Sequence, residues 1–412
     1  MRNGTIKMAP TVTCSNKPIF APPQHVAYLD GLRALAALFV VLHHCLLQVE
    51  FRAVHLPTFL GGCIGIFAFG HYAVDVFIVL SGFCLALPVV KGNGHLSKGA
   101  FNFLAKRARR ILPPYYLALA FSLLLIYFAI GHKTGTHWDV SLPVDRTSLI
   151  THLFLVQDMF YNTSPKINHA FWSISVEWRI YFLFPLLMAS RRRWGSVTVA
   201  ISSVAVSYLA RYIGHHLHPF SQFGRVDLFG SDPQYLGLFA MGLLGADVAF
   251  GLTSPMSYLR KPKFAWMLLA LSTLAMTLVS EVKLWHGGVI AISYADFFVG
   301  IWAISLMIAA ANTEMGWLNK ALSWRPLVAI GTFAYSIYLI HGPLIQVVWQ
   351  YILFPLRSNP LLMFFGLCMI GTPLIVGCSY LFFLLCERPF LNRRKRETFA
   401  ETERDAVLAP GP

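Results

Sequence analysis

Apolar segments of about 17–25 residues recur along almost the whole chain, and each is long enough to cross a hydrocarbon core of roughly 30 Å. No other feature of the sequence restricts the fold so strongly. Inside a bilayer every backbone polar group must be paired within the protein, so such segments can only be helices. We place them at approximately 29–48, 72–90, 114–130, 171–189, 195–213, 233–252, 264–281, 288–311, 328–354 and 360–386. The expectation is an all-α polytopic membrane protein of about ten transmembrane helices. Composition agrees: 56% of the 412 residues are hydrophobic and 12% charged, against roughly 25% charged in ordinary soluble domains. The mean hydropathy is +0.60.

The net charge of +15 would suggest a nucleic-acid partner in a soluble protein. With the N-terminus inside and the spans alternating, 23 of the 33 Lys and Arg residues fall on the inner side. That is the positive-inside bias. Both termini are then expected in the cytoplasm, no nucleic acid is expected as partner, and the basic character reports orientation. The location implied is a bacterial-type inner (plasma) membrane or a eukaryotic equivalent. Residues 1–27 lack an apolar core and contain several prolines, so they read as a disordered cytoplasmic lead. Residues 28–389 form the membrane domain and 390–412 a tail of mixed charge. The seven cysteines show no CxxC spacing and suggest no disulfide framework.

Ionisable residues inside spans are costly and mark function by default. At 1.5 Å per residue, Arg33 lies about 6 Å into the first span and His44 about 22 Å. Glu177 lies about 9 Å below the outer surface, and His341 about 20 Å from the inner edge of its span. Asp75 sits a few residues from the outer end of the second. Four groups from four spans (His44, Asp75, Glu177 and His341) therefore share one depth. Competing readings apply to their neighbours: Asp30 as a helix N-cap, Arg33 snorkelling to lipid phosphates, and His43, about 100° from His44, as packing. The run Lys106, Arg107, Arg109, Arg110 is a positive-inside loop unless an anionic ligand is found for it. A buried neutral histidine suits a general base and a neighbouring carboxylate can orient it. A proton-coupled exporter or flippase would bury the same residue types.

The motifs LDGLRALAALFVVLHH, GHYAVDVFIVLSGF, FLAKRARRILPPYY, FWSISVEWRIYFLFP and GTFAYSIYLIHGPL together resemble the acyltransferase family 3 membrane enzymes, which O-acylate sugars, glycans and antibiotics. The matching positions are Arg33 and His44, separated by ten residues; Asp75, Ser81 and Gly82; Arg107, Arg110, Pro113 and Tyr115; Trp172, Ser173, Ser175 and Glu177; and Tyr335, Ser336, Tyr338 and His341. The closing Glu387-Arg388-Pro389 also fits. The resemblance implies a ten-helix domain, acetyl-CoA or another acyl-CoA as donor, and His44 as base. We expect Glu177 or Asp75 to orient His44, and Arg33, Arg107, Arg110 and Tyr115 to hold the donor. Ser173, Ser175, Tyr335, Tyr338 and His341 are candidates for substrate contact or oxyanion stabilisation. The acceptor would be a hydroxyl of a carbohydrate or a glycosylated small molecule. The chain ends soon after the tenth span, so transfer is expected to finish within the membrane domain. No permanently bound cofactor is expected. No metal is expected either, because the histidines of HHLHP (His215, His216, His218) lie in a loop without a third ligand type.

Overall fold

A computed structural model describes residues 26–49, 58–92, 96, 99–216, 220–221, 224–226, 229–230, 232–251, 254–286, 289–312 and 316–391. Residues 1–25 of the N-terminal lead and 392–412 of the C-terminal tail lie outside these residues. The described chain is almost entirely helical: α1 (Ala27–Leu47), α2 (Thr58–Gly65), α3 (Gly70–Lys91), α4 (Gly99–Leu125), α5 (Arg146–Leu153), α6 (Trp172–His216), α7 (Tyr235–Phe250), α8 (Pro262–His286), α9 (Val289–Ala311), α10 (Gly316–Leu322), α11 (Arg325–Thr332), α12 (Ala334–Val347), α13 (Pro360–Gly366) and α14 (Thr372–Phe382). One antiparallel pair, β1 (Phe220–Ser221) with β2 (Gly224–Arg225), occurs in a loop.

Six described helices are long and apolar enough to cross a membrane, or eight when each of two bent pairs counts as one span. The difference from ten has physical causes. The spans expected at 171–189 and 195–213 lie on one element, α6, broken where Gly195 adopts φ 82° and ψ 161°. The span expected at 233–252 is the 16-residue α7. The span expected at 328–354 is bent by 73° between α11 and α12.

Backbones approach closely where glycines face each other. Gly82 on α3 lies against the carbonyl of Phe239, and Gly242 on α7 lies against the carbonyl of Val79. A side chain at either position would collide with backbone. Small residues are what let membrane helices pack this tightly. Gly331 plays the same part against Asp30 O and seats α11 on α1.

Residues 131–171 form an ordered cap over one end of the bundle. Arg179 of α6 pairs with the buried Asp158, one of its bonds being Nη1 to Oδ1 at 2.7 Å. Gln157 Nε2 donates to Phe171 O at 2.9 Å, and Asn168 Nδ2 donates to Leu339 O on α12 at 2.9 Å. Gln346 joins the cap to α1 and α12: it donates to Thr134 Oγ1 (3.0 Å) and accepts from Thr136 Oγ1 (2.9 Å) and from Gln48 Nε2 (2.5 Å). Within the cap, residues 149–160 are the end of α5 followed by a 3₁₀ turn at Gln157–Met159.

Candidate active site

The start of α1, the middle of α3, the first half of α4, the start of α6, the end of α11, the start of α12 and residues 383–391 enclose a cavity of about 200 Å³. Arg33, Arg107 and Arg110 line it together with Glu177, Tyr181 and Tyr335; Val74, Phe77 and Ile78 form an apolar wall. Arg33 is ion-paired with Asp30 and its Nη2 donates to Cys84 Sγ at 2.9 Å. Asp30 is therefore not the N-cap of α1: that place belongs to Val26, and Asp30 sits one turn further in as the arginine's counter-ion. Arg33 is turned toward protein rather than toward the lipid surface. Glu177 Oε1 accepts from Ser81 Oγ at 2.8 Å and from the Tyr181 hydroxyl. Tyr335 lines the cavity while its hydroxyl donates to Ile111 O at 3.2 Å.

Ser173 and Tyr338 are also in the cavity wall, and their hydroxyls meet at 2.6 Å. Behind Tyr338 begins a group of histidines, none of which lines the cavity. The Tyr338 ring is 5.7 Å from that of His341, and His341 Nε2 is 3.2 Å from His44 Nδ1. His169 and His137 complete the group, their ring centroids 4.6 and 6.0 Å from that of His44. Gly342 gives the cap room here: a Cβ on it would stand 3.2 Å from Asn168 Oδ1 and 3.3 Å from His169 Cε1. His43 turns away and its Nδ1 bonds Phe67 O at 2.7 Å, consistent with the packing reading.

The hydrogen bonds assign the tautomers. His341 Nδ1 has only carbonyls as partners, Tyr338 O at 2.8 Å and Ile337 O at 3.2 Å, so it carries the hydrogen and Nε2 is an acceptor. His44 Nδ1 faces Val40 O at 2.9 Å and that acceptor nitrogen. It must therefore be the protonated nitrogen, which leaves Nε2 of His44 with a lone pair and able to take a proton. In the cap, burial holds the His169 imidazole well below its ordinary pKa, with His137 and His341 adding to the effect. Burial lowers His137 as well. Both are neutral near pH 7.

Not every expected residue joins this arrangement. Glu177 belongs to the cavity and does not bond His44. Asp75 is buried at a third place, facing His71 and Asp296. His44 Nδ1 faces Val40 O and His341 Nε2, not either carboxylate. Tyr115 is fully buried outside the cavity lining, its hydroxyl donating to His152 O at 2.9 Å. Ser175 is likewise buried and donates to Trp172 O at 2.8 Å. Sequence reasoning missed Cys84 and Tyr181 in the cavity and His137 and His169 in the cap. It sought metal ligands only in HHLHP, part of which lies outside the described residues. Two other groups, His44 with His137 and His169, and His71 with Asp75 and Asp296, each bring one ligand atom per residue within 4.8 Å of the others.

A family model described as "Acyltransferase domain" matches residues 26–384. The chain is 29% identical over 357 residues to YrhL of Bacillus subtilis (strain 168), provisionally named a peptidoglycan O-acetyltransferase, covering 78% of this chain and 49% of that protein. It is 26% identical over 338 residues to the peptidoglycan O-acetyltransferase OatA of Listeria monocytogenes, covering 78% and 50%. It is 24% identical over 353 residues to the O-acetyltransferase OatA of Staphylococcus aureus (strain NCTC 8325 / PS 47), covering 80% and 52%. The chain thus spans about half the length of the curated relatives it matches. No solved structure matches it.

Proposed function

The chain belongs to the acyltransferase family 3, and from that premise we propose that it is a membrane O-acyltransferase moving an acetyl group from acetyl-CoA to a hydroxyl of a carbohydrate or glycosylated acceptor. One observation carries this reading: beyond the Tyr338 wall of a cavity with three arginines among its lining residues, His341 holds His44, whose Nε2 keeps a lone pair that can accept a proton. The volume is below the roughly 300–1,000 Å³ of sites that engulf a drug-sized ligand. It suits the thioester end of a donor whose nucleotide stays outside the cavity, near Arg107 and Arg110. The relatives' names favour a glycan as acceptor.

In this mechanism the donor thioester lies along Val74, Phe77 and Ile78 and reaches the Ser173–Tyr338 wall. His44 Nε2 takes the proton of the acceptor hydroxyl as that oxygen attacks the thioester carbon. The developing imidazolium is steadied by the Nδ1–H bond to His341. A tetrahedral intermediate forms with the charge on the former carbonyl oxygen, and Tyr338 or Ser173 donates to it. Collapse breaks the C–S bond, and the proton passes to the departing thiolate, so the products are an ester and free CoA. Removing one such oxyanion donor costs about 3 kcal/mol of barrier. Arg33 lies about 16 Å before His44 along α1, where it can hold the donor's arm.

The test is thermal unfolding of the purified protein with acetyl-CoA, longer acyl-CoAs and free CoA, beside Arg107→Ala. A ligand at 100 times its Kd adds about 2.7 kcal/mol. A rise in melting temperature that disappears in Arg107→Ala supports the donor reading. No rise with any CoA species at saturation would sink it and bring forward proton-coupled export.

A further inference from the structure

A second polar cluster stands apart from the cavity and from His44. Asp75 of α3 and Asp296 of α9 are both 0% exposed. One turn before Asp75, His71 points its Nε2 at both, 3.8 Å from Asp75 Oδ1 and 3.6 Å from Asp296 Oδ2. Among the described residues neither oxygen of Asp75 has a hydrogen-bond partner, nor has Oδ1 of Asp296. Asp296 Oδ2 accepts from Gln234 Nε2 at 3.0 Å. The nearby cation Arg211 is turned elsewhere, to Asp232 at 3.8 Å and to Gln234 Oε1 at 2.9 Å. Two carboxylates therefore share one imidazole, which even when protonated balances only one of them. Leaving a carboxylate buried and uncompensated costs several kcal/mol. A doubly charged cation balances both while His71 stays neutral.

We propose that His71, Asp75 and Asp296 bind a divalent transition-metal cation, Zn²⁺ or Mn²⁺. One ligand atom from each of the three lies within 4.8 Å of the others. Bond lengths of roughly 2.0–2.2 Å to zinc in a tetrahedron put neighbouring ligand atoms about 3.4 Å apart, a few tenths of an ångström inside the two separations seen. The imidazole favours zinc over magnesium and calcium, and the two carboxylates admit manganese. Two neighbours hold the ligands in place: Gln234 Nε2 donates to Asp296, and Trp172 stacks on the His71 ring at 5.9 Å and 9°; the Tyr235 hydroxyl, 3.2 Å from His71 Nε2, would have to yield that nitrogen to the ion. Such outer partners hold metal ligands in place. The His71 side chain is 26% exposed, which gives an ion a way in. The cation would tie α3 to α9, and this inference does not depend on the acyl-transfer reading.

The full chain, carrying an affinity tag without histidine, is purified without chelator and its metal content measured by plasma mass spectrometry. The protein is then stripped with EDTA, and its melting temperature is followed as ZnCl₂, MnCl₂ or MgCl₂ is restored. Expected are about one equivalent of metal and a melting temperature that falls on stripping and recovers with Zn²⁺ or Mn²⁺. Both effects should vanish in Asp75→Asn and Asp296→Asn and persist in His169→Gln. Native protein without bound metal and with no response to added ions would overturn the proposal, whatever the variants do. Metal kept in Asp75→Asn but lost in His169→Gln would also overturn it, by placing the ion among His44, His137 and His169.

Discussion

His44 and His341 touch through one nitrogen pair, yet the proposed mechanism gives them different duties, and substitution should separate them. His44→Ala removes the base and is expected to lower kcat by about 10²–10⁴. His341→Ala removes one of the two acceptors facing His44 Nδ1–H and leaves Val40 O; losing a bond worth about 1–1.5 kcal/mol predicts at most roughly a tenfold loss. Because His341 positions rather than reacts, the pH–rate profile should shift in His341→Ala, and His341→Gln should restore part of the rate. His152 makes a prediction about stability. Burial pushes its imidazole down to about 4, whereas an unfolded chain protonates near 6.5. The unfolded state therefore binds more protons between these values. The contribution is fully present above about pH 6.5 and is lost progressively as the pH falls to 4. At most roughly 3 kcal/mol is involved. Melting temperatures at pH 7.5 and pH 5 should differ more for the native protein than for His152→Asn. Depth along a helix, readable from sequence, brought His44 and His341 to one level correctly. It could not fix direction around the bundle, so Asp75 and Glu177 at a similar depth were grouped with His44 although they face other neighbours. His137 and His169 arrive on the cap, for which a count of residues along a span gives no coordinate.

The helices show what apolar windows record and what they omit. Windowed hydropathy found nearly every apolar stretch, but it is blind to the backbone break at Gly195 and to the 73° bend between α11 and α12. Those depend on one residue's φ and ψ and on packing between distant segments. The pairing of α3 with α7 was equally hidden, because Gly82 and Gly242 are 160 residues apart in the chain. Their facing backbones give a prediction for the element itself. Gly242→Val should destabilise the protein by about 1–3 kcal/mol or more, since overpacking forces the helices apart. Thermal unfolding in detergent measures it. Gly377, around which a Cβ would meet nothing within 4 Å, provides the control: Gly377→Ala should leave the melting temperature unchanged or raise it.

Across the whole molecule, the cavity and the histidines lie in series along α1, separated by Ser173 and Tyr338. Donor choice should follow from that spacing. On the proposed route a longer acyl chain would press on Phe77 and Tyr338, which are in edge contact with ring centroids 5.9 Å apart. Acetyl-CoA should exceed butyryl-CoA in kcat/KM by about tenfold or more, and Phe77→Ala should narrow the gap. A series of acyl-CoAs of increasing length assayed with one acceptor measures both. The same wall has an electrical meaning. A membrane that stores energy as a voltage is discharged by any continuous file of water, and roughly 2.3 kcal/mol is lost for each charge that slips across 100 mV. An enzyme that takes its donor from one face and works near the other risks being such a leak. If transfer follows the proposed route, the packed wall at Ser173 and Tyr338, whose hydroxyls meet at 2.6 Å, is where such a file would have to be interrupted.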